Sequence, residues 1–392
     1  MDPLMLLTAI AVILLLGLLA SALANKLRIP DVLLLILIGM GLAKLQDLGL
    51  AIPDFPTTFI ASLGILALAM IVFDSTSRID LKRIDTLSNR TFRLIIIFLV
   101  ILMTIFTLAT YSIFGFDIGL CLLFAGALCG TSPSVVIPLL GEKHLRVLDL
   151  LKLESLLNTP LTVLIPFFVV DLIQSSPKET LTTAVFAQIV PFLATFVSGL
   201  GAGLLIALIL IKIIRHNYHQ SYSALAVVLA ALLSYVLAEQ LGGNGVLAVS
   251  TLGIFVANVN FKEKIRLLDV ESVFARSLTI LVFVLVGYLI RPLWEPIFLL
   301  KALGLFAVYH LLRFVAIQVA FGESHSLREK IFMSVVAAKG IDVCVVAIVL
   351  STIPLVGLPL VVDLILIFVL LSIFVSSIAV WAKDFFLLEP KR

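Results

Sequence analysis

Charge is what this chain has least of. Aspartate, glutamate, lysine and arginine make up 13% of its 392 residues, about half of the roughly 25% usual in a soluble domain. Those present balance to a formal net charge of +3, which leaves nucleic-acid binding without an electrostatic footing. Cysteine is equally scarce. Cys121, Cys129 and Cys344 all lie inside apolar runs, where an odd number reads as small core residues rather than a disulfide framework or a metal site. The histidines, His144, His216, His219, His310 and His325, are scattered without metal-ligand spacing. Neither a G-x-G-x-x-G nor a P-loop occurs, which excludes a nucleotide-driven pump and an appended nucleotide-binding domain; no enzyme activity and no cofactor are expected. A cleavable signal peptide is also missing. The run 4–24 follows Asp2 without a basic n-region and is too long for an h-region, so it reads as a first transmembrane helix.

What the chain has in excess is hydrophobicity, 62% of residues with a mean hydropathy of +1.24. That leaves no room for a soluble surface, and the chain reads as an all-α integral membrane protein in contact with the lipid bilayer. Thirteen apolar runs are candidate spans: 4–24, 31–44, 57–73, 92–115, 118–140, 149–174, 183–214, 221–240, 243–258, 274–291, 297–322, 331–353 and 359–382. The basic residues between them alternate, as the positive-inside rule requires. One side receives Lys26 and Arg28; Arg78, Lys82, Arg83, Arg90 and Arg93; Lys143, Arg146 and Lys152; Lys212 and Arg215; Lys262, Lys264, Arg266 and Arg276; Arg328 and Lys330; and Lys383, Lys391 and Arg392. The other side receives only Lys44, Lys178, Arg291 and Lys301. An odd number of spans follows, with the N-terminus outside and the C-terminus in the cytoplasm of a cell-membrane protein. The last run stops about ten residues before the sequence ends, so no soluble domain is expected.

Thirteen divides into six, one and six, the arithmetic of an inverted-topology repeat with 183–214 as linker. The fifth and twelfth runs are then counterparts, and both are interrupted at mid-run: ALCGTSPSVVIP at 127–138 and VVAAKGIDVCVV at 335–346. A broken helix frees N–H and C=O groups that hydrocarbon cannot satisfy. They persist only where protein or water covers them, and there they can ligate ions. The expected fold is one transmembrane domain of about thirteen helices, two inverted six-helix repeats with broken helices in the fifth and twelfth spans.

GTSPSVVIP, LESLLNTP, VFDSTSRIDL and AAKGIDVCVVA occur in the order and spacing of the monovalent cation:proton antiporters. Over essentially its whole length the chain resembles the archaeal and bacterial sodium/proton antiporter type. The resemblance implies alternating access and a homodimer. A core (about 92–174 and 297–382) would move against a dimerisation scaffold (about 1–90 and 183–291). It also implies a transient Na+ site. Family members carry Thr-Asp-Pro or Thr-Ser-Pro in the fifth helix, Glu-Ser-x-x-Asn-Asp in the sixth, and a basic residue followed by Gly in the twelfth. Here these are Thr131, Ser132 and Pro133; Glu154, Ser155, Asn158 and Thr159; and Lys339 and Gly340.

The departure is at Thr159, where the family presents its ion-binding and proton-carrying aspartate. Threonine does not titrate in this range, so a proton exchanger must find its acid elsewhere. The resemblance pairs Glu154 with Lys339 as a structural charge pair, since a buried charge is costly unless paired. Asp342 follows Lys339 by three residues, which on a helix puts both on one face within salt-bridge reach; sharing that ammonium makes it an alternative proton carrier. Asp74 matches a family acid that reaches the ion from the scaffold, and is the first choice for carrier; its bland role is to cap a helix end or pair with Arg78. Arg313 lies about 9 residues, roughly 14 Å, inside its helix, where it either snorkels or pairs with a core acid. Asp171 and Asp363 fall near outer span ends and read as solvated.

The expected function is therefore secondary antiport of Na+, or K+ or Li+, against H+, with Asp74, Thr131, Ser132, Ser155, Asn158 and Thr159 forming the cation and proton site. A passive cation pathway and a transport-incompetent scaffold paralogue are the alternatives, separated from it by proton release on cation addition. The topology is checked by cysteine accessibility: the 215–220 loop and the C-terminus should label from the cytoplasm and the 175–182 loop from outside. Labelling of position 175 and the C-terminus from one side would overturn the thirteen-span model.

Overall fold

A computed structural model describes residues 3–27, 31–49, 55–77, 88–140, 146–174, 181–216, 220–259, 264–290 and 295–387. Each of the thirteen apolar runs is occupied by one helix or by two in succession. The first three hold α1 (Pro3–Leu27), α2 (Asp31–Asp47) and α3 (Thr57–Thr76). The fourth holds α4 (Ser88–Ile101) and α5 (Thr107–Phe114), joined by a π-helical turn at Leu102–Phe106, and the fifth breaks into α6 (Ile118–Ala127) and α7 (Pro133–Leu140). Then come α8 (Arg146–Gln174), α9 (Leu181–His216), α10 (Gln220–Gln240), α11 (Gly245–Asn258), α12 (Lys264–Leu289) and α13 (Pro296–Phe321). The twelfth run breaks into α14 (Leu327–Val335) and α15 (Ile341–Ser351), and the last holds α16 (Leu358–Trp381), followed by the short α17 (Lys383–Phe386). Among the described residues there is no strand, and eight helices are long and apolar enough to cross a membrane. The fifth and twelfth spans are broken, as the six-one-six division expects. Several loop cations, among them Arg28, Arg78, Lys82, Lys143, Lys178 and Arg291, lie outside the described residues, so the pairing considered for Asp74 with Arg78 does too.

Local chemistry sets the helix ends. Gly115, at φ 70°, ends α5, and the Asp117 carboxylate then accepts from Gly119 N at 2.9 Å to start α6. Asn244 opens α11 by accepting from Leu247 N, and Ser326 with Glu329 forms a capping box on α14. The π turn was not legible in the sequence. It sets Phe106 against Phe124 and Tyr309, with ring centroids 5.7 and 5.8 Å apart, and Phe368 closes the cluster at 5.1 Å from Phe124. This wall of rings fixes Tyr309, whose hydroxyl accepts from Lys339.

The chain forms two compact units. The first comprises residues 1–61, 87–162 and 280–392, the second 62–86 and 163–279. In the second, a Cβ on Gly203 of α9 would stand 2.2 Å from Ala248 O of α11, and one on Gly253 of α11 would stand 2.0 Å from Thr76 Oγ1 of α3. In the first, α2 and the end of α12 touch backbone to backbone: a Cβ on Gly39 would lie 2.0 Å from Val284 O, and one on Gly287 would lie 2.1 Å from Ile36 O. Small residues let membrane helices approach this closely, gaining packing that lipid cannot replace. Gly287→Leu should therefore cost about 2 kcal/mol by overpacking and lower the melting temperature in detergent. Gly41→Leu, whose added Cβ meets open space, should leave it unchanged. Equal melting of the two variants would remove this contact from the account of stability.

Candidate ion site at the crossing of two broken helices

The fifth span leaves the helical path at Leu128–Ser132 and the twelfth at Val336–Gly340. Pro133 restarts the first as the opening residue of α7, where its missing N–H is no loss. Gly340 precedes α15 with no side-chain cap. The two irregular stretches meet within the first unit, Ser132 N donating to Ala338 O at 3.0 Å. Two further freed N–H groups find side-chain partners. Ala337 N donates to Ser376 Oγ at 3.2 Å and Lys339 N to Ser372 Oγ at 2.9 Å, two serines one turn apart on α16.

Lys339 completes this closure. Its ammonium, wholly buried, donates to Leu128 O at 2.7 Å, to Gly130 O, and to Tyr309 Oη at 2.6 Å, with the Tyr309 ring centroid at 4.7 Å. Those carbonyls belong to the C-cap of α6 and the irregular stretch just beyond it, at the negative end of the helix, so a cation is the fitting partner. Gly130 has no space for a side chain: a Cβ would lie 1.8 Å from Thr162 Oγ1 and 3.2 Å from Asn158 Cβ. The break in the fifth span is thus pressed flat on α8.

The expected pairing of Glu154 with Lys339 is corrected by the structure. Glu154 is held by Arg313, Nη1 to Oε1 at 2.8 Å and Nη2 to Oε2 at 2.9 Å. Arg313 also donates from Nε to Met333 O at 3.3 Å and lies over Phe98 at 5.2 Å. The physical reason is shape. A guanidinium presents two parallel N–H groups to a carboxylate, which a lysine cannot, and its flat face stacks on a ring. Arg313 pairs rather than snorkels, and so ties α13 to α8, α14 and α4. The expected helical face shared by Lys339 and Asp342 is corrected as well: Lys339 lies in the irregular stretch and α15 begins only at Ile341.

The other site residues fall as follows. Thr131, Ser132, Ser155, Asn158, Thr159 and Asp342 are all buried in the first unit. Ser155 donates to Lys152 O at 2.8 Å, Thr159 to Ser155 O at 3.0 Å and Thr162 to Asn158 O at 3.0 Å. Thr131 Oγ1, Asn158 Nδ2 and both Asp342 carboxylate oxygens are buried with no hydrogen-bond partner. The Ser132 hydroxyl and the N–H groups of Val343 and Asp342 at the start of α15 are the nearest polar neighbours of that carboxylate, and Lys339 precedes it by three residues. Asp74 belongs to the second unit, half-buried in the last turn of α3, its carbonyl accepting from Ser77 Oγ at 3.0 Å. Asp363 is half-buried in a cavity wall with Ser351. Sequence reading passed over Tyr309, Ser372 and Ser376. The two serines carried a signal, hydroxyls spaced i and i+4 in a mostly apolar helix.

The family model for the transmembrane sodium/hydrogen exchangers matches residues 10–382. The chain belongs to the sodium/hydrogen exchanger family. Among its relatives, the K+/H+ antiporter NhaP of Alkalimonas amylolytica is 26% identical over 361 residues, 89% of this chain and 60% of the relative. The Na+/H+ antiporter 1 of Methanocaldococcus jannaschii is 27% identical over 371 residues, 87% of this chain and 82% of the relative. This chain thus spans about 60% of the length of the K+/H+ relatives it matches. The structure of the sodium proton antiporter MjNhaP1 of Methanocaldococcus jannaschii at pH 8 superposes with a TM-score of 0.79 at 21% identity, covering 99% of both chains. The fold is therefore shared, and this family member is a multi-pass membrane protein.

Removing one partner of a buried ion pair costs about 3 to 5 kcal/mol, because the other charge is left bare. Arg313→Leu should therefore melt far lower than the parent in detergent, and Arg313→Leu with Glu154→Leu should regain most of the loss. Lys339→Met, which strands carbonyls but no ion-paired carboxylate, should be milder than Arg313→Leu. A double variant as unstable as the single one would rule out the bare carboxylate as the cause.

Proposed function

We propose that the protein is a secondary active antiporter exchanging a monovalent cation, Na+ or K+, for H+ across the cell membrane by alternating access. The observation that carries this is Asp342, a carboxylate 1% exposed whose two oxygens have no hydrogen-bond partner, at the crossing of two broken helices. It stands in the first turn of α15, where the helix dipole favours negative charge. The relatives' names, antiporters of K+ or Na+ against H+, support the same reading.

Asp342 takes over the task of the acid missing at Thr159. Its carboxylate holds either a proton or the cation, never both. Either load neutralises it, and a neutral site crosses a low-dielectric core far more cheaply than a bare carboxylate. Thr131, Ser132, Ser155, Asn158 and Thr159 supply neutral oxygens around the cation. The fixed charges nearby do not compete: Glu154 is bound by Arg313, and Lys339 is bound to carbonyls. The helices around the crossing form the moving core, with the N-terminus outside and the C-terminus in the cytoplasm. Asp74, on α3, remains the second candidate for carrier.

In proteoliposomes loaded with a pH dye, a cation pulse should drive proton movement in the parent. Asp342→Asn should abolish it, at least about a hundredfold, as expected when the group that exchanges the proton is gone. Asp74→Asn should retain it. Loss with Asp74→Asn and survival with Asp342→Asn would transfer the role to Asp74. Survival in both, and in Glu154→Gln, would favour a passive pathway; no cation-driven proton movement in the parent would favour a scaffold.

A further inference from the structure

We propose that the crossing is a weak-field site that takes K+ in preference to Na+ and Li+. The proposal rests on the antiport reading above and specifies its cargo. A cation enters a dry site only where the ligands make up for the water it sheds, and that hydration is strongest for Li+, then Na+, then K+. Concentrated negative charge compensates the small ions best. Weaker oxygen dipoles compensate only the larger, loosely hydrated ion, one of the accounts of selectivity in pores lined by neutral oxygens. Ligand charge and field therefore choose between cations of equal valence.

Four observations place this site at the weak end. The first is Thr159, a buried neutral hydroxyl beside Asn158 where an acid would concentrate negative charge. The second is the state of the hydroxyls on that face of α8. Ser155, Thr159 and Thr162 each spend their proton on a carbonyl of their own helix, at 2.8, 3.0 and 3.0 Å. Their oxygens are left with lone pairs alone, as neutral ligands. Thr131 Oγ1, buried and without a partner, adds another neutral oxygen, and the buried Asn158 brings a neutral amide whose carbonyl oxygen, not its Nδ2, would be the ligand.

The third is the count of carboxylates. Glu154 is cancelled by its two-pronged contact with Arg313, so among the described residues Asp342 is the one acid at the crossing not bound by a cation in direct contact. The fourth is Lys339, a buried ammonium at the same break, three residues before Asp342. It is held on Leu128 O, Gly130 O and Tyr309 Oη, and it weakens the pull of that single acid on any further cation. One acid, partly offset, amid hydroxyls and an amide is a poor replacement for the water of Na+ and an adequate one for that of K+.

The test measures half-saturating concentrations of KCl, NaCl and LiCl for proton movement in proteoliposomes of the full chain, with thermal melting in each salt as a binding readout. K+ should half-saturate at a concentration roughly fivefold or more below Na+, with Li+ weakest, the order of a weak-field site. Thr159→Asp should narrow or invert that order, and Ser132→Asp asks the same question from the other side of the crossing should the first variant fail to fold. A parent that prefers Na+ or Li+, or a K+ preference unchanged by both variants, overturns the proposal. Proton movement with no cation would instead count against antiport, and the order of melting shifts would still decide the selectivity.

Discussion

A bilayer offers no hydrogen-bond partner to a helix that stops halfway, and this constraint governs the core of the molecule. Two helices stop at the same depth of the fold, at Leu128–Ser132 and at Val336–Gly340. Everything around them answers the groups set free. Each stretch lends the other a partner, α16 presents Ser372 and Ser376, and a lysine closes the carbonyl end of α6. The aromatic wall built on the π turn then has a definite purpose, since it fixes the phenol against which that lysine rests. Against these backbone contacts, the buried atoms left without a hydrogen bond, Thr131 Oγ1, Asn158 Nδ2 and the Asp342 carboxylate oxygens, stand out as groups held in reserve.

The charges at the centre sort by geometry. A guanidinium and a carboxylate match edge to edge, so Arg313 and Glu154 find each other across 159 positions of sequence. An ammonium has no preferred plane and suits convergent carbonyls, so Lys339 goes to the broken helix. This leaves the Asp342 carboxylate with no cation bound to its oxygens, which follows from the other two assignments.

Much of the fold was legible because period and length are coarse signals. Thirteen apolar runs gave thirteen helical spans, and the Gly, Ser and Pro of ALCGTSPSVVIP and the Lys-Gly of VVAAKGIDVCVV marked both breaks. The partner of Glu154 was not legible. Spacing along the chain reports neighbours within a helix, whereas the choice between Lys339 and Arg313 depends on how α13 packs against α8. Depth in the helix hinted that Arg313 was paired, yet could not say with what. Placing Lys339 and Asp342 on one face assumed an unbroken helix at the very point where Gly340 interrupts it. Tyr309 had no signal at all, because its role comes from the ring cluster around it.

The cation that closes the carbonyl end of α6 is covalently part of the chain. A dissolved ion in that position would come and go with its concentration, and the crossing would loosen whenever the ion grew scarce, as any ligand-stabilised structure does by mass action. A tethered ammonium has a local concentration that no bath can dilute. The crossing is therefore closed by a charge that the chain itself carries, and its assembly does not depend on the salt around it.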